Sequence, residues 1–318
     1  GADPAFLLGG ELPGAGPDGG PANAGWGEGG WIVAEADESD GSFLELRPEV
    51  AAITNIELDH HSHWGGEGEL ISAFARFAAP AAALVRPAGP RLASLDGAGA
   101  VLSFAVAGAG VPAAPAALLA TDFEAGAGGS EFTVISEAVG ERRVALAVPG
   151  RHNAANALVA IGAMTLAREL DPGLPPIDEL IDGLAGFPGM ARRLQAKGRT
   201  TGGAVVYDDY AHPPTEVAAS LAALRELPHR RLIAVFQPHL YSRTRALAPR
   251  FGRALALADE VGVVDVYAAR EEPTGDLAGV SGLLVAEAAA DAAPGRRVRW
   301  LVDLERAANA LAPELGEG

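Results

Sequence analysis

The chain has 318 residues, 49% of them hydrophobic, a formal net charge of −17 and no cysteine. That length and apolar content suit two domains of ordinary size, and the missing thiols exclude disulfides, thiolate catalysis and zinc–cysteine sites. So acidic a chain repels nucleic-acid phosphates and anionic membrane surfaces, so neither is expected as a partner and any bound phosphate needs a local basic pocket.

No apolar run is long enough to span a bilayer and the first residues carry no signal-like pattern, so a cytoplasmic location is expected. In chain order, apolar runs at 31–35 and 50–56 read as buried strands that end in polar residues, where open α/β sheets place their ligands. A helix near 70–77 and β-like runs at 101–106, 131–136 and 143–148 follow, with glycine-rich loops at 108–110 and 126–129. A long helix starts near Asn153 and runs to about Leu170. The stretch PGMARRLQAKGRTTGG at 188–203 turns basic and glycine-rich, and the domain boundary is placed there. Beyond it, strands at 204–208, 232–237, 261–266 and 298–302 alternate with helices at 214–227, 244–258, 280–290 and 304–311, the pattern of a doubly wound parallel sheet. The fold class is therefore α/β with two α/β domains, 1–187 and 188–318, the second Rossmann-like.

Polar clusters sit at the strand ends. WIVAEADESDGSF at 31–43 places Glu35, Asp37, Glu38 and Asp40 within six residues, and TNIELDHH at 54–61 brings Asp59 and His60 to the end of the next strand. If these ends meet, Glu35 and His60 form a carboxylate–imidazole pair suited to Mg²⁺ or Mn²⁺ bridging to a nucleotide. A solvated strand end is the competing reading. In PGRHNAANALVAIGA, His152 and Asn156 stand one helical turn apart at a helix start, placed to hydrogen-bond a planar base, although Asn153 could simply cap the helix. VYDDYAHPPTE at 206–216 ends a strand in Asp208, Asp209, Tyr210 and His212, and VFQPHLYSRTRAL at 235–247 ends the next in His239, Tyr241, Ser242, Arg243 and Arg245. Two neighbouring strands with such ends describe a ligand crevice.

VAEADESDGSF, TNIELDH, GRHNAANALVA, GMARRLQ, VYDDYAHPPTE, FQPHLYSRTRAL and EEPTGDLAGVSG, in this order from residue 1 to about residue 312, resemble the Mur ligases. The resemblance implies an ATP-dependent amide-bond ligase of peptidoglycan biosynthesis, with Mg²⁺ or Mn²⁺ and with UDP-N-acetylmuramate and L-alanine as small-molecule substrates. It implies a central ATP-binding domain and a C-terminal amino-acid-binding domain. By position, Glu35 and His60 match the metal residues, His152 and Asn156 the adenine-side pair, and Arg193 an arginine reaching the phosphates. Asp209, Tyr210 and His212 match the loop facing nucleotide and amino acid, and His239 and Arg243 the segment binding substrate carboxylates. His60, Arg193, His212 and His239 are the candidate catalytic residues.

The departures are specific. Pro213 follows His212 where the family usually has a second histidine, and Leu240 follows His239 where it often has an arginine. No G-x-x-x-x-G-K-[ST] loop is present, and the single lysine, Lys197, lies in the linker. Against the family pattern, the chain is expected to be a piece lacking the uridine-nucleotide domain, the phosphate loop and the last strand, and to be inactive by itself. The related ligase that recycles murein tripeptide and a non-catalytic ligand- or partner-binding module remain as alternatives.

Overall fold

The computed structural model describes residues 2–16, 19–58, 63–96, 99–108, 115–126 and 128–315. The chain divides into two compact units, Gly1–Ala191 and Arg192–Gly318.

The first unit carries β1 (Ala5–Leu12), β2 (Ala22–Gly25), β3 (Ile32–Ala34), β4 (Val50–Ala52), α1 (Glu67–Ala78), β5 (Ala83–Pro87), β6 (Ala100–Val106), β7 (Leu118–Gly126), β8 (Gly129–Ser136), β9 (Gly140–Leu146), α2 (Arg151–Leu170) and α3 (Ile177–Gly183). Six strands form one sheet in the order β4-β5-β6-β7-β8-β9, parallel from β4 to β7 and antiparallel from β7 to β9. Side chains alternate faces along a strand, and β5 uses both. Ala83 and Val85 join the core beneath α2, whereas Leu84 joins the core around Phe43, Ile56, Trp64 and Leu70 on the other side. A strand covered on both faces reads as an unbroken apolar run, which fits its ALV sequence.

Alanine-rich α2 buries Ala154, Ala157, Leu158, Ile161 and Leu166, the three- and four-residue spacing of one helix face. Gly162 lets it lie close to the sheet, since a Cβ there would meet Leu118 Cδ1 at 2.9 Å and Val85 Cγ1 at 3.1 Å.

Two expectations fail in this unit. The run at 31–35 is not a buried strand beside 50–56. It forms β3, paired parallel to β1 in a separate three-stranded sheet ordered β2-β1-β3, with Ile32 and Val33 65% and 52% exposed. The run at 50–56 is a strand only over β4, after which Ile53 and Ile56 remain buried outside regular structure.

The second unit carries β10 (Gln195–Arg199), β11 (Val205–Asp208), α4 (Pro214–Arg225), β12 (Ile233–Phe236), α5 (Tyr241–Leu255), β13 (Glu260–Val263), α6 (Gly282–Ala292), β14 (Arg297–Trp300) and α7 (Leu304–Leu311). Strands β12-β13-β14 form a parallel sheet in chain order. Val261 and Val263 pack with Phe236, Phe251 and Val285, so α5 and α6 cover one face. Gly262 points the other way, toward Leu301 and Leu311, where α7 packs. The expected neighbour of β12, the strand at 204–208, is not in this sheet. It pairs antiparallel with β10 as a two-stranded ribbon.

The N-terminal ends of the parallel strands are clamped by charge. Glu260 meets Arg231 at 2.8 Å and Arg297 at 3.5 Å, and Glu314 meets Arg299 at 2.7 Å and Arg297 at 3.0 Å. The Arg299 hydrogen bond, chiefly, holds Glu314 below the usual carboxylate range. The Leu232 backbone N–H, aided by Arg225, does the same for Asp259. A carboxylate whose folded pKa is depressed stabilises the fold above its unfolded value, and that contribution disappears as pH falls through the folded value. The second unit is therefore expected to keep a flat urea midpoint above about pH 5 and to lose stability progressively below about pH 4. Asp259→Asn should flatten part of that slope; an unchanged slope counts against the assignment.

Candidate functional site

The acid-rich loop after β3 is only partly available for ligands. Asp37 Oδ1 accepts the Ser39 backbone N–H at 2.9 Å and its hydroxyl at 2.6 Å, and Asp40 Oδ1 accepts the Ser42 N–H at 2.9 Å. These are local turns that aspartate makes with its own backbone. Ser42, through hydroxyl and amide, holds the Asp40 carboxyl below its ordinary range. The loop lies against the segment after the second cluster, for Trp64 Nε1 donates to the Glu38 carbonyl at 2.8 Å.

Glu35 differs from Asp37 and Asp40, because its Oε2 accepts the Gly9 N–H of β1 at 2.8 Å, across 26 residues of chain. Asp59 and His60 lie outside the described residues. Among the described residues no group of three histidine or acidic side chains is arranged to hold a metal ion. Magnesium takes only one or two protein ligands and fills its shell with water and phosphate, so a single carboxylate such as Glu35 fits that chemistry.

At the start of α2, Gly150 is the N-cap residue, with φ 101° and no side-chain cap. Asn153 does not cap the helix, as its sequence position suggested. It lies inside the first turn, and its Nδ2 donates back to the Pro149 carbonyl at 2.8 Å. His152 and Asn156 share one helical face, and Asn156 Nδ2 reaches Asn153 Oδ1 at 3.4 Å. Arg151 donates to the Ala107 carbonyl at 3.0 Å and lies over the Phe123 ring at 4.6 Å.

In the second unit the sequence-marked residues come together although β11 and β12 are not paired. The Arg192 guanidinium lies 4.4 Å over the Tyr210 ring, Tyr210 is 5.2 Å from His212, His212 is 6.0 Å from His239, and His239 stacks on Tyr267 at 5.7 Å. Arg243, only 5% exposed, reaches His239 Nδ1 at 3.1 Å. A guanidinium can only donate. His239 Nδ1 is therefore the acceptor and the ring proton sits on Nε2. His212 Nδ1 lies 3.0 Å from the Tyr210 carbonyl, which can only accept, so His212 carries its proton on Nδ1 and leaves Nε2 as the basic nitrogen. Two neighbouring imidazoles are thus held in opposite tautomers, one a donor and the other an acceptor at Nε2.

Acidic groups brace this cluster. Asp209 accepts the Leu194 N–H at 2.8 Å, the Ala211 N–H at 2.6 Å and the Ser220 hydroxyl at 3.1 Å. Both its oxygens serve to join the 192–194 turn to the end of β11. Arg192 and Leu194 in that turn have φ 59° and 44°, and such backbone is held only where its surroundings over-determine it. Glu216 lies 3.4 Å from Arg193 and 3.9 Å from His212 Nδ1.

Known families match both units. A profile described as "Mur ligase middle domain" matches residues 32–164, and one described as "Mur ligase, glutamate ligase domain" matches 192–318. The chain belongs to the Mur ligase family. The UDP-N-acetylmuramate–L-alanine ligase of Mycobacterium marinum is 44% identical over 330 aligned residues, covering 100% of this chain and 64% of the relative. The solved UDP-N-acetylmuramate–alanine ligase of Thermotoga maritima superposes with TM-score 0.72 at 26% identity, covering 97% of this chain and 62% of that one. A murein peptide ligase from Psychrobacter arcticus shares the fold, with TM-score 0.61 at 21% identity over 99% of this chain and 67% of that one. The chain thus spans somewhat under two thirds of the M. marinum relative.

This Mur ligase chain also brings Tyr267 and Glu271 to the cluster, which the sequence reading did not single out. Tyr267 arrives through the loop after β13, where its backbone pairs with His239. Glu271 opens the EEPTGDLAGVSG stretch, and two acids ahead of a Pro-Thr-Gly turn look like any solvated loop.

Proposed function

We propose that the protein carrying these residues joins L-alanine to UDP-N-acetylmuramate with cleavage of ATP to ADP and phosphate. The muramate carboxylate oxygen takes the γ-phosphoryl group and ADP leaves. The alanine amine then attacks the acyl carbon, the tetrahedral adduct expels phosphate, and an amide remains. The observation that carries this reading is the 44% identity over the whole chain to a relative of that name, and it is supported by a buried arginine and two oriented histidines at strand ends of the second unit.

In this reading Arg243 and His239 hold a substrate carboxylate, with His239 donating from Nε2. His212, basic at Nε2, accepts the proton that the alanine amine gives up on bond formation, and Tyr210 lines the same surface. Arg193 serves the phosphates, and Asp209 acts through the turn that presents it. His152 and Asn156 face the adenine. Glu35, with His60, would hold Mg²⁺ or Mn²⁺, and such an ion neutralises charge on a transferring phosphoryl group.

The test is ADP release by the full-length protein with ATP, Mg²⁺, UDP-N-acetylmuramate and L-alanine. Release that needs both acceptor substrates supports the reading; release with murein tripeptide in their place, or none at all, overturns it. In the same assay Glu35→Ala is expected to lower turnover by about two orders of magnitude or more with thermal unfolding nearly unchanged. Wild-type turnover in that variant would remove Glu35 from the site.

A further inference from the structure

The first turn of α5 is completed by a residue from another loop. Leu240 is its N-cap residue, with φ 67° and ψ 134°, and its side chain accepts no helix N–H. An apolar residue cannot supply the usual cap, and a leucine in this backbone region is strained. The acceptor comes instead from Glu271, 29 residues beyond Ser242, whose Oε2 takes the Ser242 N–H at 2.9 Å and whose Oε1 takes the Ser242 hydroxyl. The same loop reaches back twice more. The Tyr267 carbonyl accepts the Leu240 N–H at 3.0 Å, and the Tyr267 N–H donates to the Pro238 carbonyl at 2.8 Å. Ala269, between these anchors, has φ 50°.

Two consequences follow for the neighbouring Arg243 and His239. The positive end of a helix is a natural seat for a carboxylate, and on α5 that seat is already taken by a carboxylate of the chain itself. The geometry of the first turn, which sets where Arg243 stands, is fixed by contacts from the 267–271 loop. We infer that Glu271 is a positioning residue of the ligase: it closes the α5 N-terminus and fixes the Arg243–His239 pair, so that the carboxylate of the incoming amino acid is taken by side chains and not by the helix end. This rests on the role given to Arg243 under the proposed function.

The test uses the full-length protein, ADP release, and each substrate varied in turn. Glu271→Ala is expected to raise the KM for L-alanine about tenfold or more, with kcat lowered less than about threefold and the KM for ATP within about twofold. Glu271→Gln keeps one oxygen to accept the Ser242 N–H and should recover most of that loss; Ser242→Ala, which removes only the hydroxyl contact, should fall between. An unchanged alanine KM in these variants overturns the proposal. So does a parallel rise in the KM of every substrate, the mark of a generally loosened domain. If Glu271→Ala does not fold, Glu271→Gln and Ser242→Ala decide on the same criteria. A wild-type protein without alanine-dependent ADP release overturns the proposed function itself, and that result is read before any variant is compared.

Discussion

Arg243→Lys in the full-length protein is expected to raise the KM for L-alanine by about two orders of magnitude, with kcat falling less than about tenfold. Arg243 is buried, and one of its nitrogens lies 3.1 Å from His239 Nδ1. A guanidinium presents five N–H donors in a rigid plane, so it can bind the imidazole along one edge and a carboxylate along another. A lysine ammonium offers three rotating donors around a point charge and cannot reproduce both contacts from the same Cα. The His239 ring is also affected. Without the planar guanidinium at Nδ1 the orientation of the ring is no longer fixed, so its own contact with the substrate carboxylate should weaken together with that of the arginine. Unchanged kinetics would mark Arg243 as a packing arginine with no part in carboxylate binding.

The second unit was largely legible because its signals are local. Alternation of short apolar runs with amphipathic stretches placed the strands and helices of the parallel sheet, and the helix at 304–311 coincides with α7. What escaped is partner choice. The VVY run of β11 has the same apolar character as β12, and nothing in such a run says whether its ladder is with a parallel neighbour or with the antiparallel β10. The same limit misplaced β3, whose apolar residues pair with β1 in a small sheet and stay exposed. The strands β5 and β7 went unmarked altogether, because alanine-rich runs such as AALVRP carry little β signature.

The candidate site follows the same division. His212, His239 and Arg243 stood out as polar residues just after apolar strands, a pattern visible in sequence. Tyr267 and Glu271 approach only because the loop after β13 crosses the start of α5, a tertiary event without local cue. For Asp37 and Asp40 the sequence left open whether they orient the site or face water; each has an oxygen engaged by a backbone N–H two residues on, and Asp209 likewise accepts the Leu194 and Ala211 N–H groups.

The 318-residue chain by itself is expected to form no ADP from ATP, Mg²⁺, UDP-N-acetylmuramate and L-alanine. A phosphate site needs clustered backbone N–H groups, a helix N-terminus and a cation aimed at the β- and γ-phosphates. Lys197, the one lysine, lies in β10 and is exposed in the ribbon with β11, away from any strand-to-helix glycine turn. The helix starts are nearly all occupied by negative charge. Helices α1, α3, α4 and α7 carry acids in their own first turns, at Glu67 and Glu69, Asp178 and Glu179, Glu216, and Glu305. The start of α5 is bonded to Glu271, and the Gly282 N–H of α6 donates to Asp265 at 2.9 Å. Among the described residues only α2 begins without a carboxylate, and its Arg151 already serves the Ala107 carbonyl. With a net charge of −17 around it, one helix end is a weak anchor for a triphosphate, since such an end contributes only about 0.3–1 kcal/mol when solvent-exposed. Alanine-dependent ADP formation by the isolated chain, abolished by Glu35→Ala, would show that the α2 start or another surface binds phosphate far more strongly than its composition allows.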